Sequence, residues 1–420
     1  MAAPPAVQTA LILQGSAALG AYEAGVIKGL FDNLGLKPDI IAATSSGAIN
    51  AAILVSYFQQ TGSWNGAADR VLDYWYHKAA VATPFGVPLF PEDVRRYYST
   101  KQFFFTGLTS TYSPPIPVPD SRFNDNTPGD STNNVWYKYD DTPLSNAIQS
   151  TFNGAPFINF PLKTSPPEPR LLAVATEAQY GQAVTFDSYT LKSTFNYCDP
   201  VTCKPTDVNL EYPAGMGPEH ILASCTVPLI YDYQQASGRY FWDGWLVSNT
   251  PLRELIQSHQ DYWTNTVHAA LVPDLEVYIV DVWPSETPSL PTDHDGVKDR
   301  MQDLIYCDRS DYDKKVGMLV TDLITLSKSL MQLAADSGAP APALAAILNR
   351  NASSKKRDGT ARTFRELLQG GVTLRNVTTI QRKHDPNGVW AKWTDLTFET
   401  IDQMIKEGMD YQKKSCVSGS

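Results

Sequence analysis

Between residues 8 and 58 the apolar pattern switches twice from the period of a strand to that of a helix. Residues 8–13 (QTALIL) form a short apolar run that ends at Gln14-Gly15. Tyr22, Val26, Ile27, Leu30 and Phe31 then recur at helical spacing across residues 20–33. Residues 39–43 (DIIAA) are a second apolar run, and residues 46–58 (SGAINAAILVSYF) return to helix, apolar on nearly every side. Strand, loop, helix, strand, turn, helix predicts the opening of a doubly wound α/β sheet with parallel strands.

The rest of the chain extends this pattern. A helix with an aromatic face is expected over residues 63–78. Strands are expected at 170–176 and 183–187, joined by a turn at Tyr180-Gly181. A short helix follows at 220–225, a strand at 239–242 ending in Asp243-Gly244, and an apolar strand at 276–283. Beyond it the periodicity is mainly helical, at 296–306, 311–335, 342–350, 363–368 and 397–413, with one alternating strand at 372–381. Residues 109–135 hold five prolines among Ser, Thr, Asn and Asp, and read as a long irregular insert. The expected organisation is an α/β domain over residues 8–285, a central mostly parallel sheet flanked by helices. A mainly helical region, 286–420, packs on it.

Composition excludes several classes of function. The 420 residues include 34 Lys+Arg and 44 Asp+Glu, a net charge of -10. An acidic chain of this kind is not a basic nucleic-acid binder, and its charge opposes strong attraction to anionic membranes. Apolar residues at 43% are ordinary for a folded protein. The 5 cysteines are scattered, which excludes a disulfide framework. A local bridge between Cys198 and Cys203 stays open, though reduced thiols are the expectation, and no zinc half-site accompanies them. No basic residue precedes Lys28, so the N-terminus is not read as a secretory signal. No run reaches the length of a membrane span. The expected compartment is the cytosol, with any membrane contact peripheral. Lys355-Lys356-Arg357 reads as a solvated loop.

Three segments carry the chemistry. Ala43-Thr44-Ser45-Ser46-Gly47 lies between a strand and a helix, where a serine on a sharp turn exposes its Oγ beside the helix's free N–H groups. Alone, Ser45 reads equally as a helix N-cap. Gly15-Ser16-Ala17-Ala18-Leu19-Gly20 is a small-residue turn whose N–H groups are suited to an oxyanion or a phosphate. It lacks dinucleotide or P-loop spacing. Asp243-Gly244 ends a strand, and is either a carboxylate placed at a site or a common turn dipeptide.

Taken in order, these segments resemble the patatin-like phospholipase family of lipid acyl hydrolases. Leu13-Gln14-Gly15 through Leu19-Gly20-Ala21-Tyr22-Glu23-Ala24-Gly25-Val26 is similar to that family's glycine-rich opening, and residues 44–51 (TSSGAINA) to its elbow. His220-Ile221-Leu222-Ala223-Ser224 with Pro228, and residues 242–252, are similar to the stretch around its Asp-Gly motif. The resemblance covers about residues 8–285. It implies a patatin-like three-layer fold and a Ser–Asp dyad: Ser45 as nucleophile, Asp243 as base, and no role for the six histidines. It implies oxyanion donors in the Gly15, Ser16, Ala17 turn with Ser46, and structural roles for Gly20, Ala43, Gly47 and Gly244. The implied reaction is hydrolysis of a carboxylic ester in a lipid through an acyl-serine, with no metal or organic cofactor. Ser16 and Ala17 stand where the family has glycine, leaving two outcomes: strain in the turn, or N–H groups turned away. Trp245 follows Asp-Gly in place of a small residue and is expected to narrow the acyl site. The alternative reading is a degenerate member that binds lipid or a partner without turnover.

Overall fold

The computed structural model describes residues 5–83, 90–106, 139–199, 202, 205–307, 310–355, 361–383, 385 and 388–417. The Pro-rich segment 109–135, Cys203, Lys356, Arg357 and His384 therefore lie outside the described residues.

The chain forms three layers around one sheet. Its strands are β1 (Val7–Leu13), β2 (Ile40–Thr44), β3 (Arg170–Glu177), β4 (Gln182–Asp187), β5 (Gln234–Ala236), β6 (Arg239–Asp243), β7 (Asp274–Asp281) and β8 (Leu374–Gln381). The principal helices are α1 (Gly20–Leu34), α2 (Ser46–Thr61), α3 (Pro218–Cys225), α4 (His294–Tyr306), α5 (Ser310–Asp336) and α6 (Phe398–Val417). The sheet order is β8-β7-β1-β2-β3-β6-β5, and β4 pairs with the other edge of β3. From β8 to β3 all neighbours are parallel, whereas β4 and β6 run antiparallel to β3. The central strands are buried on both faces, as a parallel sheet covered by helices requires.

Alternation along the strands divides the core. Leu11, Leu13, Ile41 and Ala43 face the layer of α1 and α2, which supplies Ile27, Ile53 and Leu54. Ala10, Ile12, Ile40 and Ala42 face the opposite layer with Leu252 and Leu255. The all-round apolar character of α2 follows from its position, since residues 46–56 are all buried.

The C-terminal region is part of this core. It contributes β8, which extends the parallel sheet beside β7. It also contributes α6, which crosses α1 at backbone contact: Gly25 lies against the Ile405 carbonyl and Gly408 against that of Tyr22. A Cβ at either glycine has no room. A buried ion pair, Arg96 with Asp385 at 2.8 Å, reinforces the join; within the C-terminal region Arg382 holds the same Asp385 at 3.4 Å and Lys392 reaches Asp303 at 2.6 Å. A two-stranded hairpin, Lys192–Cys198 with Pro205–Glu211, has no counterpart in the sequence reading. Among the described residues, no helix is long and apolar enough to cross a membrane.

Candidate active site

The site lies where two strands meet end to end. β2 occupies one edge of β3 up to the pair Thr44 and Val174. From Ala175 onward that same edge is taken by β6 running the other way, with Asp243 opposite Ala175. The other edge belongs to β4 throughout residues 172–177. Ser45, just past the end of β2, and Asp243, at the end of β6, therefore converge on one point.

Ser45 has φ 55° and ψ -128°, a strained conformation for a residue with a Cβ. It occupies the N-cap position of α2, but its side chain makes no cap bond. Instead the hydroxyl donates to Oδ2 of Asp243 at 2.7 Å. Asp243 divides its two oxygens. Oδ2 takes the serine, and Oδ1 accepts the Trp245 N–H at 3.1 Å, closing the turn that Asp-Gly suggests. The carboxylate is wholly buried. Burial pushes its pKa up to about 7, against the lowering pull of the Ser45 hydroxyl and the Trp245 N–H. The main chain of Asp243 is fixed as well: its N–H donates to the Thr226 carbonyl at 2.7 Å, and its carbonyl accepts from Thr176 Oγ1 at 2.9 Å.

The strained serine is clamped by α3. Ser224 Oγ accepts the Ser45 N–H at 2.9 Å and donates to the Val174 carbonyl at 2.5 Å. The adjacent Cys225 thiol donates to the Ser45 carbonyl at 3.2 Å. Burial holds that thiol well above its usual pKa, so it remains protonated as a donor. Gly47 and Gly244 leave room for the approach: a Cβ on Gly47 would meet the Leu13 carbonyl at 2.7 Å, and one on Gly244 the Thr44 methyl at 2.9 Å. Ala43 is fully buried in the core, and Gly20 opens α1 against Trp75 and Ser46.

The small-residue turn differs from expectation in one donor. Gly15 gives its N–H to the Asn249 carbonyl at 3.1 Å and so does not offer it to the site. Ala17 takes φ 48°, the conformation that glycine adopts freely, so the turn keeps its shape at a cost in strain. The Ser16 hydroxyl lies 3.0 Å from that of Ser46, tying the turn to the start of α2. Asn249, absent from the sequence reading, also donates Nδ2 to the Tyr306 carbonyl at 2.7 Å.

A narrow slot of about 40 Å³ opens beside Ser45, lined by Ala17, Ser46, Ile49, Trp75, Phe103, Trp393 and Leu396 among others. Trp245 is not one of its walls. Its indole stands edge-on to Tyr306, with ring centroids 4.9 Å apart, and leaves the slot unobstructed. Trp393 and Leu396 come from the C-terminal region and carried no signal in the sequence. Among the described residues no histidine bonds to Ser45 or Asp243. His220 Nδ1 accepts the Gly217 N–H, and His259 Nε2 faces the Pro273 carbonyl. No group of His, Cys, Asp or Glu among the described residues is arranged to hold a metal ion.

A family model, Patatin-like phospholipase, matches residues 11–256, which hold Ser45 and Asp243. The chain belongs to the patatin-like phospholipase family. This family is one of lipid acyl hydrolases. No curated protein matches the chain. Among solved structures, the crystal structure of VipD from Legionella pneumophila aligns at 12% identity with a TM-score of 0.31, covering 96% of this chain and 68% of its own. The patatin-like segment ends before α4, so Trp393, Leu396 and β8 lie beyond the matched residues.

Proposed function

We propose that this patatin-like chain is a lipid acyl hydrolase that cleaves carboxylic esters through an acyl-enzyme on Ser45. The observation that carries the reading is the 2.7 Å hydrogen bond from the Ser45 hydroxyl to a buried carboxylate. A base whose pKa lies near the working pH is suited to proton transfer.

In this reading Asp243 takes the proton as Ser45 Oγ bonds to the ester carbonyl carbon. The resulting oxyanion is met by the N–H groups of Ser16, Ala17 and Ser46, at the positive end of α2. The C–O bond to the alcohol then breaks, and Asp243 returns the proton to the leaving oxygen. Water, deprotonated by the same carboxylate, attacks the acyl-serine, and its collapse releases the fatty acid and restores Ser45. The apolar slot receives the acyl chain. Residues 8–285 carry the chemistry, and 286–420 buttress it. The substrate is drawn from a lipid surface by peripheral contact, and the compartment is the cytosol.

A second reading, lipid binding without turnover, draws on the Gly15 N–H being spent on Asn249. Removing one oxyanion donor typically costs about 100- to 1000-fold in rate. Labelling with a fluorophosphonate probe separates the two. Wild type is expected to label, and Ser45→Ala and Asp243→Asn are expected not to. Absence of labelling in folded wild type would favour the binding reading.

A further inference from the structure

α5 is anchored along one side only. Gly317 lies against Leu374, Thr321 Oγ1 accepts the Leu374 N–H at 2.9 Å, and Ile324 is buried. The other side carries Val316, Leu319, Leu323, Leu326, Leu330 and Leu333, each between 40% and 61% exposed. These residues fall alternately three and four apart, the a and d positions of a heptad repeat, and Tyr312 extends the series by one step. A helix lying on a core or in a lipid interface needs a broader stripe, and the latter also favours a Lys/Arg-rich polar face. Here the stripe is two-in-seven apart from Val320, 43% exposed at the neighbouring e position, and a seam this narrow fits the seam of another helix.

Charge chooses the partner and its direction. With Val316, Leu323 and Leu330 at a, the flanking g positions are Lys315, Asp322, Ser329 and Asp336, and the e positions are Asp313, Val320, Ser327 and Ala334. Consider two copies antiparallel about a two-fold axis between Leu323 and Leu326. Val316 then packs on Leu333 of the second copy, Leu319 on its Leu330, and Leu323 on its Leu326. The same register sets Lys315 opposite Asp336 of the second copy, once at each end. Asp322 falls opposite Ser329, and no like charges meet. Parallel pairing sets Lys315 opposite Val320 and forms no ion pair. Lys315 has no ion-pair partner among the described residues of its own chain.

We propose that α5 is a dimerisation helix, through which two copies of this chain associate as an antiparallel two-stranded coiled coil. The face is independent of the Ser45 site, and the proposal stands whether or not that site turns over.

Sedimentation equilibrium of the full chain over a concentration series tests it. Wild type is expected to dimerise reversibly. Leu323→Glu combined with Leu326→Glu is expected to be monomeric, with an unchanged circular dichroism spectrum and unchanged fluorophosphonate labelling. Lys315→Asp and Asp336→Lys are each expected to weaken the dimer by about tenfold. The double charge swap is expected to restore it. A wild type that stays monomeric into the hundreds of micromolar overturns the proposal, as does a double swap no tighter than the single variants. A monomeric wild type whose binding to phosphatidylcholine vesicles is lost in the Leu323→Glu, Leu326→Glu variant would assign the face to lipid and overturn it equally.

Discussion

Thr44 and Asp243 sit against consecutive residues of one strand edge, Val174 and Ala175, although they end strands of opposite direction. That abutment is what sets the Ser45 hydroxyl 2.7 Å from the carboxylate. It makes the separation a property of the sheet rather than of a loop, so side chains that hold the junction should matter as much as the two groups themselves.

The rate of ester hydrolysis should rise with pH through a single ionisation near 7 and then level off. Asp243 acts as a base only when ionised, and burial pushes its pKa up to about 7. Steady-state kcat/KM for a soluble short-chain ester between pH 5 and 9 measures this. A profile flat across that range would show that Asp243 is not the base.

Asp243→Asn should abolish turnover yet stabilise the fold progressively as pH rises. The folded carboxyl has its pKa raised from 3.8 to about 7, so the folded state retains a proton that the unfolded chain releases. Through this one group, wild type loses stability from about pH 4 up to 7, by an amount on the order of 4 kcal/mol, with no further change from it above that range. Asparagine has no such ionisation. Thermal melts at pH 4.5 and 7.5 should show the difference between variant and wild type moving in the variant's favour at the higher pH.

Ser224→Ala should lower kcat by about 10- to 100-fold with little change in KM, because it frees the strained serine to shift. It also leaves the Ser45 N–H and the Val174 carbonyl unpaired in the interior, at a cost of about 1–3 kcal/mol. Denaturant titration and kinetics on the same preparation separate the two effects. A full-rate enzyme of reduced stability would assign Ser224 to the fold alone.

Trp393→Ala should shift preference toward longer acyl chains. The slot beside Ser45 is about 40 Å³, and the indole is one of its larger walls. Relative kcat/KM across a series of p-nitrophenyl esters gives the readout. An unchanged chain-length profile would place the acyl group elsewhere.

Much of the fold was legible where the signal was local, though the hairpin of Lys192–Cys198 with Pro205–Glu211 was not. Periodicity placed strands at 8–13 and 39–43, against Val7–Leu13 and Ile40–Thr44 observed, and it placed α1 and α2 within a turn. The structural roles of Gly47 and Gly244 came with the family resemblance, and close backbone approach at both positions is a physical reason for a residue without a side chain. What stayed hidden depends on partners distant in sequence. Nothing around residue 224 or 249 announces a bond to Ser45 or Gly15, because serine and asparagine are common and their partners lie far away along the chain. The strand at 372–381 was visible as a strand, but its place beside β7 was not, since register is a tertiary property. Strain at Ala17 was one of the two outcomes the sequence left open for the turn. The loss of the Gly15 donor was not foreseen, because only the fold brings the Asn249 carbonyl within reach.

The position of Trp393 and Leu396 has a consequence for biosynthesis. A nascent chain that has emerged through residue 256 already contains both Ser45 and Asp243. Its sheet still lacks β7 and β8, α1 has no α6 against it, and the slot has no far wall. In the proposed reading, the ribosome-bound intermediate holds the chemical groups of a lipase without the chamber in which to use them. Hydrolytic competence then appears only once residues 393–417 have been made and α6 folds back onto the first helix.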